Sequence, residues 1–126
     1  MQIGTLLESI KAQPARLERI VVKADGRICF LNTREIDWIE ADDKYVHLHT
    51  EKGARMVRQT LSAMEEELDP RRFVRIHRST IVNVDRIKEL QPLFSGEYSV
   101  LLENGMKLTL SRGYKDNLFQ ALGQPL

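Results

Sequence analysis

The 126-residue chain has little with which to cross-link itself, since it contains one cysteine, Cys29. A single thiol excludes an intramolecular disulfide and a Cys-rich zinc module, and it suits a reducing compartment. Long apolar runs are also missing. None approaches the ~20 residues that span a bilayer, so no membrane partner is expected and a cytoplasmic location is. The opening MQIGTLLESIK has neither a basic n-region nor a long apolar h-region, and it does not match a secretory signal. Charge of one sign is lacking too: 19 Lys and Arg stand against 18 Asp and Glu, a net charge of +1. Whole-chain charge therefore does not announce a nucleic-acid binder, and any such surface must come from charges sorted in space. There is no phosphate-cradling Gly-rich loop and no nucleophile elbow. No catalytic set can be named, so neither an enzyme nor a cofactor is expected.

What is present describes a folded, water-soluble unit: 42% hydrophobic and 29% charged residues. The length suits one domain with a short tail, at ~100–200 residues per domain. Leu6, Leu7 and Ile10 fall at helical spacing until Pro14, which predicts a short amphipathic helix over 3–13 with an exit at 14–18. That helix either packs on its own domain or links to another. Residues 1–18 are taken as linker and helix, 19–122 as the domain and 123–126 as a tail.

From Arg19 the apolar period becomes two. Arg19–Ala24 and Arg27–Leu31 flank Asp25-Gly26, a dipeptide suited to a type I′ hairpin because both central residues need positive φ. Tyr45–Thr50 alternates and turns through Glu51-Lys52-Gly53 into 54–59. Tyr98, Val100 and Leu102 alternate, Asn104-Gly105 turns, and Met106, Leu108 and Leu110 alternate back. Two short helices interrupt the strands. In SAMEEEL, Ser62 and Glu65 have capping-box spacing, with Thr60 as a rival N-cap. The second runs from about Gly113 to Leu122, with Ser111 placed to cap it. The sum is a mainly β domain of antiparallel hairpins with little helix.

The even net charge hides a strong asymmetry. Residues 35–43 hold five acids and no base, residues 62–69 four acids and no base, and residues 71–82 (RRFVRIHRSTIV) four arginines and a histidine with no acid. The basic run is either a phosphate-facing patch or a solvated strand whose arginines pair with those acids. In FVRIHRST, alternation puts Val74, Ile76 and Arg78 on one side and Phe73, Arg75 and His77 on the other. Val74 and Ile76 are expected in the core. Arg78 stands at the strand's end, where burial unpaired would be very costly, so it is expected to project from a loop. A loop arginine on a rigid rim can fork onto guanine O6 and N7.

Other constellations give less. His47 and His49 share a strand face, but no Cys, Asp or Glu at ligand spacing completes a tetrahedral site, so no metal is expected. Trp38, Ile36 and Ile39 are assigned to the core. Leu90, Pro92, Leu93 and Phe94 are expected to pack under the Ser95-Gly96 turn, with an interface as the alternative.

The runs IDWIEADDKYVHLHT, TLSAMEEELDPRRFVRIHRSTIVNVDRIKELQP and GEYSVLLENGMKLTLSRGYKDNL together resemble the LytTR DNA-binding domain, the output module of bacterial response regulators of the LytR/AlgR type. The likeness covers about residues 19–122. It rests most specifically on FVRIHRS followed by VN, and on the later LSRGY. It implies an elongated, mainly β fold of short antiparallel sheets and small helices. It also implies a transcription regulator that inserts loops into successive major grooves and bends the duplex. The positions that carry base contacts in the family are filled here by Lys44 and Tyr45, by Arg78 and by Arg112. Arg75, His77, Ser79 and Lys115 are then candidates for phosphate contacts, which set register without reading sequence. For His77 a satisfied strand histidine, and for Lys115 an ordinary surface lysine, are the alternatives.

The partners implied are double-stranded DNA carrying promoter repeats and a second copy on the adjacent half-site, with a monomer expected off DNA. A receiver of roughly 100–150 residues does not fit in the eighteen residues before the β region, so the two-component phosphorylation switch is expected outside this chain. The rival reading, favoured by the acidic stretches, is a protein-interaction module that keeps the fold without reading DNA.

Overall fold

The structure is a computed structural model that describes residues 18–123, so the helix expected over 3–13 and residues 124–126 of the tail lie outside the described residues. Among the described residues are ten strands and two short α-helices. The strands are β1 (Arg19–Ala24), β2 (Arg27–Asn32), β3 (Ile36–Asp42), β4 (Tyr45–Thr50), β5 (Gly53–Val57), β6 (Phe73–His77), β7 (Thr80–Asn83), β8 (Ile87–Pro92), β9 (Tyr98–Leu102) and β10 (Lys107–Leu110). The helices are α1 (Leu61–Glu67) and α2 (Lys115–Leu122). No described helix is long and apolar enough to cross a membrane.

All strand pairs are antiparallel. They form the β1-β2 ribbon, a five-stranded sheet in the order β5-β4-β3-β7-β6, and a three-stranded sheet in the order β10-β9-β8. The five-stranded sheet is the middle of three layers, because two separate apolar clusters lie on its faces. On one face Ile39, Val46, Leu48, Phe73 and Ile81 pack with Ile20 and Val22 of the ribbon and with Leu61 and Met64 of α1. On the other, Trp38, Val74, Ile76 and Val82 pack with Val100, Leu102, Leu108 and Leu110 of the three-stranded sheet and with Leu118 of α2. This corrects the one-sided reading of β6. Val74 and Ile76 are core as expected, but Phe73 is buried as well, since α1 covers the face it points to. A bulge between Arg75 and His77 also shifts the alternation at the strand's end.

Local chemistry sets the turns. Asp25 (φ 53°) and Gly26 (φ 71°) both take the positive φ of a type I′ turn. The Asn104-Gly105 turn is a three-residue loop instead. Gly105 N–H donates to Leu102 O at 2.9 Å, Gly105 has φ 91°, and Asn104 Oδ1 accepts from Met106 N–H at 2.8 Å. The N-cap of α1 is Thr60, whose Oγ1 accepts from Ala63 N–H at 3.0 Å; Ser62 lies inside the helix. Ser111 makes no side-chain cap. A single 3-10 turn, Arg112–Tyr114, separates it from α2. Asn83, 1% exposed, locks β7 to β3 by donating from Nδ2 to Ile36 O at 2.9 Å.

Candidate nucleic-acid interface

Antiparallel pairing sorts the turns of the middle sheet onto two opposite rims. One rim carries the β3–β4 turn, the exit from β5 and the β6–β7 turn. Lys44 and Tyr45 stand at the first, Arg58 follows the second, and Arg78 and Ser79 form the third. Ala41 N–H donates to Ser79 O at 2.9 Å, which ties the first turn to the third. At a strand spacing of ~4.8 Å, the β5 and β6 ends stand about 19 Å apart.

The three-stranded sheet extends the same rim. Ser111 N–H donates to Ile76 O at 2.9 Å, which fixes the exit of β10 beside the end of β6. Arg112 therefore follows immediately alongside the Arg78 turn. Pro92, Tyr98 and Leu110 face one another across β8, β9 and β10, so the turn at 93–97 is the outermost turn of the row. Arg112 lies directly on it. A Cβ on Gly96 would fall 2.7 Å from Arg112 Cδ, and Gly96 has φ 83°. The absence of a side chain at Gly96 is what gives the Arg112 stem its place.

The arginines of the basic run divide by their partners. Arg71 pairs with Asp69 at 3.4 Å, Arg72 with Asp85 at 3.9 Å and Arg75 with Glu65 at 3.2 Å. Among the described residues, the side chains of Arg78 and Arg112 pair with no carboxylate, and both residues are exposed. The surface-pairing reading thus holds for the first three arginines and not for the fourth. Arg75 goes further, with a side chain only 14% exposed. Its guanidinium donates to Ser62 Oγ at 3.1 Å, to His77 O at 3.3 Å and to the carbonyl of Arg78. It fastens the Arg78 turn to α1, and its donors are committed within the fold.

The remaining candidates sit around these two. His77 Nδ1 accepts from Ser79 N–H at 3.2 Å and lies 2.9 Å from Ser79 Oγ. That bonding leaves Nε2 to carry the ring N–H. Lys115 Nζ lies 5.7 Å from the Tyr98 ring and 5.4 Å from the Phe119 ring, a cation–π site that steers the ammonium. Tyr45 is exposed. Asp43 has φ 57°, and the turn it shapes displays Lys44. Asp42 accepts from His47 Nε2–H at 3.0 Å, so that carboxylate is engaged along the strand. His49 Nε2–H donates to Glu40 at 2.7 Å, and its ring stacks on Trp38 with centroids 3.9 Å apart. His47 and His49 thus each have their own carboxylate.

Two further residues belong to the rim. The sequence runs Arg58 into the strand over 54–59, but β5 ends at Val57, and the β4–β5 register places Val57 opposite Val46 and so brings Arg58 to the Lys44 end. Phe94 was expected under its turn and is instead fully exposed, with Leu93 also exposed. Leu90 alone of that group packs on the core.

The molecule is thus a three-layered antiparallel β domain with unpaired arginines on adjacent turns of one rim. The family described as the LytTr DNA-binding domain matches residues 26–123. A solved LytTr DNA-binding domain from Bacillus cereus superposes with a TM-score of 0.76 at 25% identity, covering 85% of this chain and 98% of that one. The sensory transduction protein LytT of Bacillus subtilis is 29% identical over 117 residues, 93% of this chain and 48% of that protein. The transcriptional regulatory protein LytR of Staphylococcus aureus is 31% identical over 106 residues, 84% and 43% respectively. The chain spans about half the length of these curated relatives. It belongs to the LytTR DNA-binding domain family.

Proposed function

We propose that the chain binds double-stranded DNA sequence-specifically as the output part of a bacterial transcription regulator. Arg78 and Arg112 supply guanidinium forks to base edges from neighbouring turns. Lys44 and Tyr45 contact the next stretch of groove along the row. His77 through Nε2–H, Ser79, Lys115 and Arg58 hold phosphates and set register. Arg75, placed by sequence among the phosphate contacts, acts by holding the Arg78 turn. The observation that carries this reading is the row itself: Ala41–Ser79 and Ser111–Ile76 backbone bonds hold the turns side by side, with the two guanidinium groups unpaired. Turns aimed the same way can meet one face of a duplex, and bending the DNA around the row would lengthen the contact. The signal-receiving function belongs to another domain or protein, and two copies act on direct repeats about one helical turn apart, since both must face the same side.

The test is selection of bound sequences from a random DNA pool. The expected product is a short motif repeated in direct orientation at about 10–10.5 base pairs, and Arg78→Ala and Arg112→Ala each relax one position of it. Failure to retain DNA at low salt, or an unstructured selected pool, would reject DNA reading and favour the protein-interaction module.

A further inference from the structure

The rim ends on a feature that the DNA-binding reading has not used. Phe94 is fully exposed and Leu93 is exposed beside it, at the tip of the narrow β8–β9 hairpin. Leu93 N–H donates to Glu97 O at 2.8 Å, and Ser95 Oγ donates to Glu97 Oε1 at 3.1 Å, so the tip is a shaped turn. Among the described residues nothing buries these side chains; Leu90, at the base of the same hairpin, reaches the core and the tip does not.

The position of the tip selects its partner. Gly96 carries the aliphatic stem of Arg112, and two residues of chain separate Gly96 from Phe94, at most about 7 Å. That is roughly two base-pair steps at ~3.4 Å each. Wherever the Arg112 guanidinium meets a base edge, the Phe94 ring is within a few base pairs of it. Lys115, beside the same strand ends, supplies positive charge, while Glu97 lies back toward β9 with its carboxylate held by Ser95. Past the level of Pro92, Tyr98 and Leu110 only the 93–97 turn projects, and it is narrower than the two-stranded ribbon that a major groove admits; the apolar feature on offer there is the thymine C5-methyl group.

Resting on the DNA-binding reading, the geometry points to a further specificity determinant. Phe94 packs on a thymine methyl group in the same major groove that Arg112 enters, so the β8–β9 tip reads an A·T pair next to the guanine that Arg112 reads.

The experiment uses the full chain and the DNA motif recovered by selection, with affinities from fluorescence anisotropy. Thymines within four base pairs of the position relaxed by Arg112→Ala are replaced one at a time by deoxyuridine, which removes only the methyl group. One such replacement is expected to weaken binding by about 4-fold, the equivalent of one buried methyl. Phe94→Ala is expected to weaken binding to the parent site about 10-fold and to be indifferent to that same replacement. Because the ring is fully exposed among the described residues, Phe94→Ala is expected to unfold at the parent's denaturant midpoint. A site with no thymine in that window overturns the proposal. So does a Phe94→Ala variant that binds normally, retains the uracil effect, or is altered only in self-association. All of these outcomes leave the DNA-binding reading intact as long as Arg78→Ala and Arg112→Ala still relax their positions. If those two variants change nothing, the reading beneath the proposal fails first.

Discussion

Arg75 shows how a residue's type and place in sequence can point to one role and its contacts to another. Its neighbours are basic, and by charge alone it belongs with the phosphate contacts. The fold spends its donors on Ser62, Glu65 and two carbonyls. A point charge cannot replace that fork. Arg75→Lys is therefore expected to lower specific affinity several-fold and to blur discrimination at the base that Arg78 reads, measured by anisotropy on single-base variants of the site. A plain phosphate contact would tolerate the lysine and weaken all sequences alike. Gly96 gives a companion prediction. Gly96→Ala adds a methyl 2.7 Å from Arg112 Cδ at a positive φ, so it is expected to reproduce the loss of specificity of Arg112→Ala without touching the arginine, at the low end of about 1–3 kcal/mol. Unchanged binding by Gly96→Ala would mean that the Arg112 stem has other places to lie. Neither contact was legible in the sequence, because Arg75 with Ser62 and Glu65, and Gly96 with Arg112, are distant along the chain and meet only through tertiary packing.

At the scale of elements the sequence was more open. The Asp25-Gly26 hairpin and the β9–β10 hairpin follow from turn chemistry confined to two or three residues, and their strands from an apolar period of two. The N-cap of α1 was ambiguous because Thr60 and Ser62 both have a capping oxygen and differ by only two positions. The structure chooses Thr60 because Leu61 and Met64 must both reach the core. Thr60→Ala is expected to destabilise the domain by about 1 kcal/mol in urea unfolding, and Ser62→Ala by less, since it removes an exposed acceptor of Arg75. The reverse order would contradict the assignment. The burial of Phe73 was hidden for a different reason: a strand covered on both faces breaks alternation, and nothing local announces which element will cover the second face.

For the whole molecule, a net charge of +1 and the proposed DNA-binding rim are compatible because charge is sorted by pairing. Arg71 and Arg75 are matched by Asp69 and Glu65, at and just after α1, and Arg72 by Asp85 beyond β7, whereas Arg78, Arg112, Lys44 and Arg58 stand exposed on the rim. Affinity for DNA should fall steeply with salt, by about 0.9 in log K per log unit of salt for each phosphate neutralised. Arg58→Ala and Lys115→Ala are each expected to reduce that slope by about one and to leave base preference unchanged, as read from titrations at several salt concentrations. A slope unchanged in both variants would move these residues off the interface. The family was legible in FVRIHRS and LSRGY. The rim position of Arg58 was not, because strand register places it there and no motif marks it.

The central claim is that adjacent turns of one rim, bearing Arg78 and Arg112, touch base edges. The most direct measurement is a base-resolved binding profile of the wild type, Arg78→Ala and Arg112→Ala against every single-base variant of the selected site. The account predicts that each variant loses preference at one position, that the two positions differ, and that the rest of each profile is kept. Two profiles that fall uniformly, or that match the wild type, would contradict it.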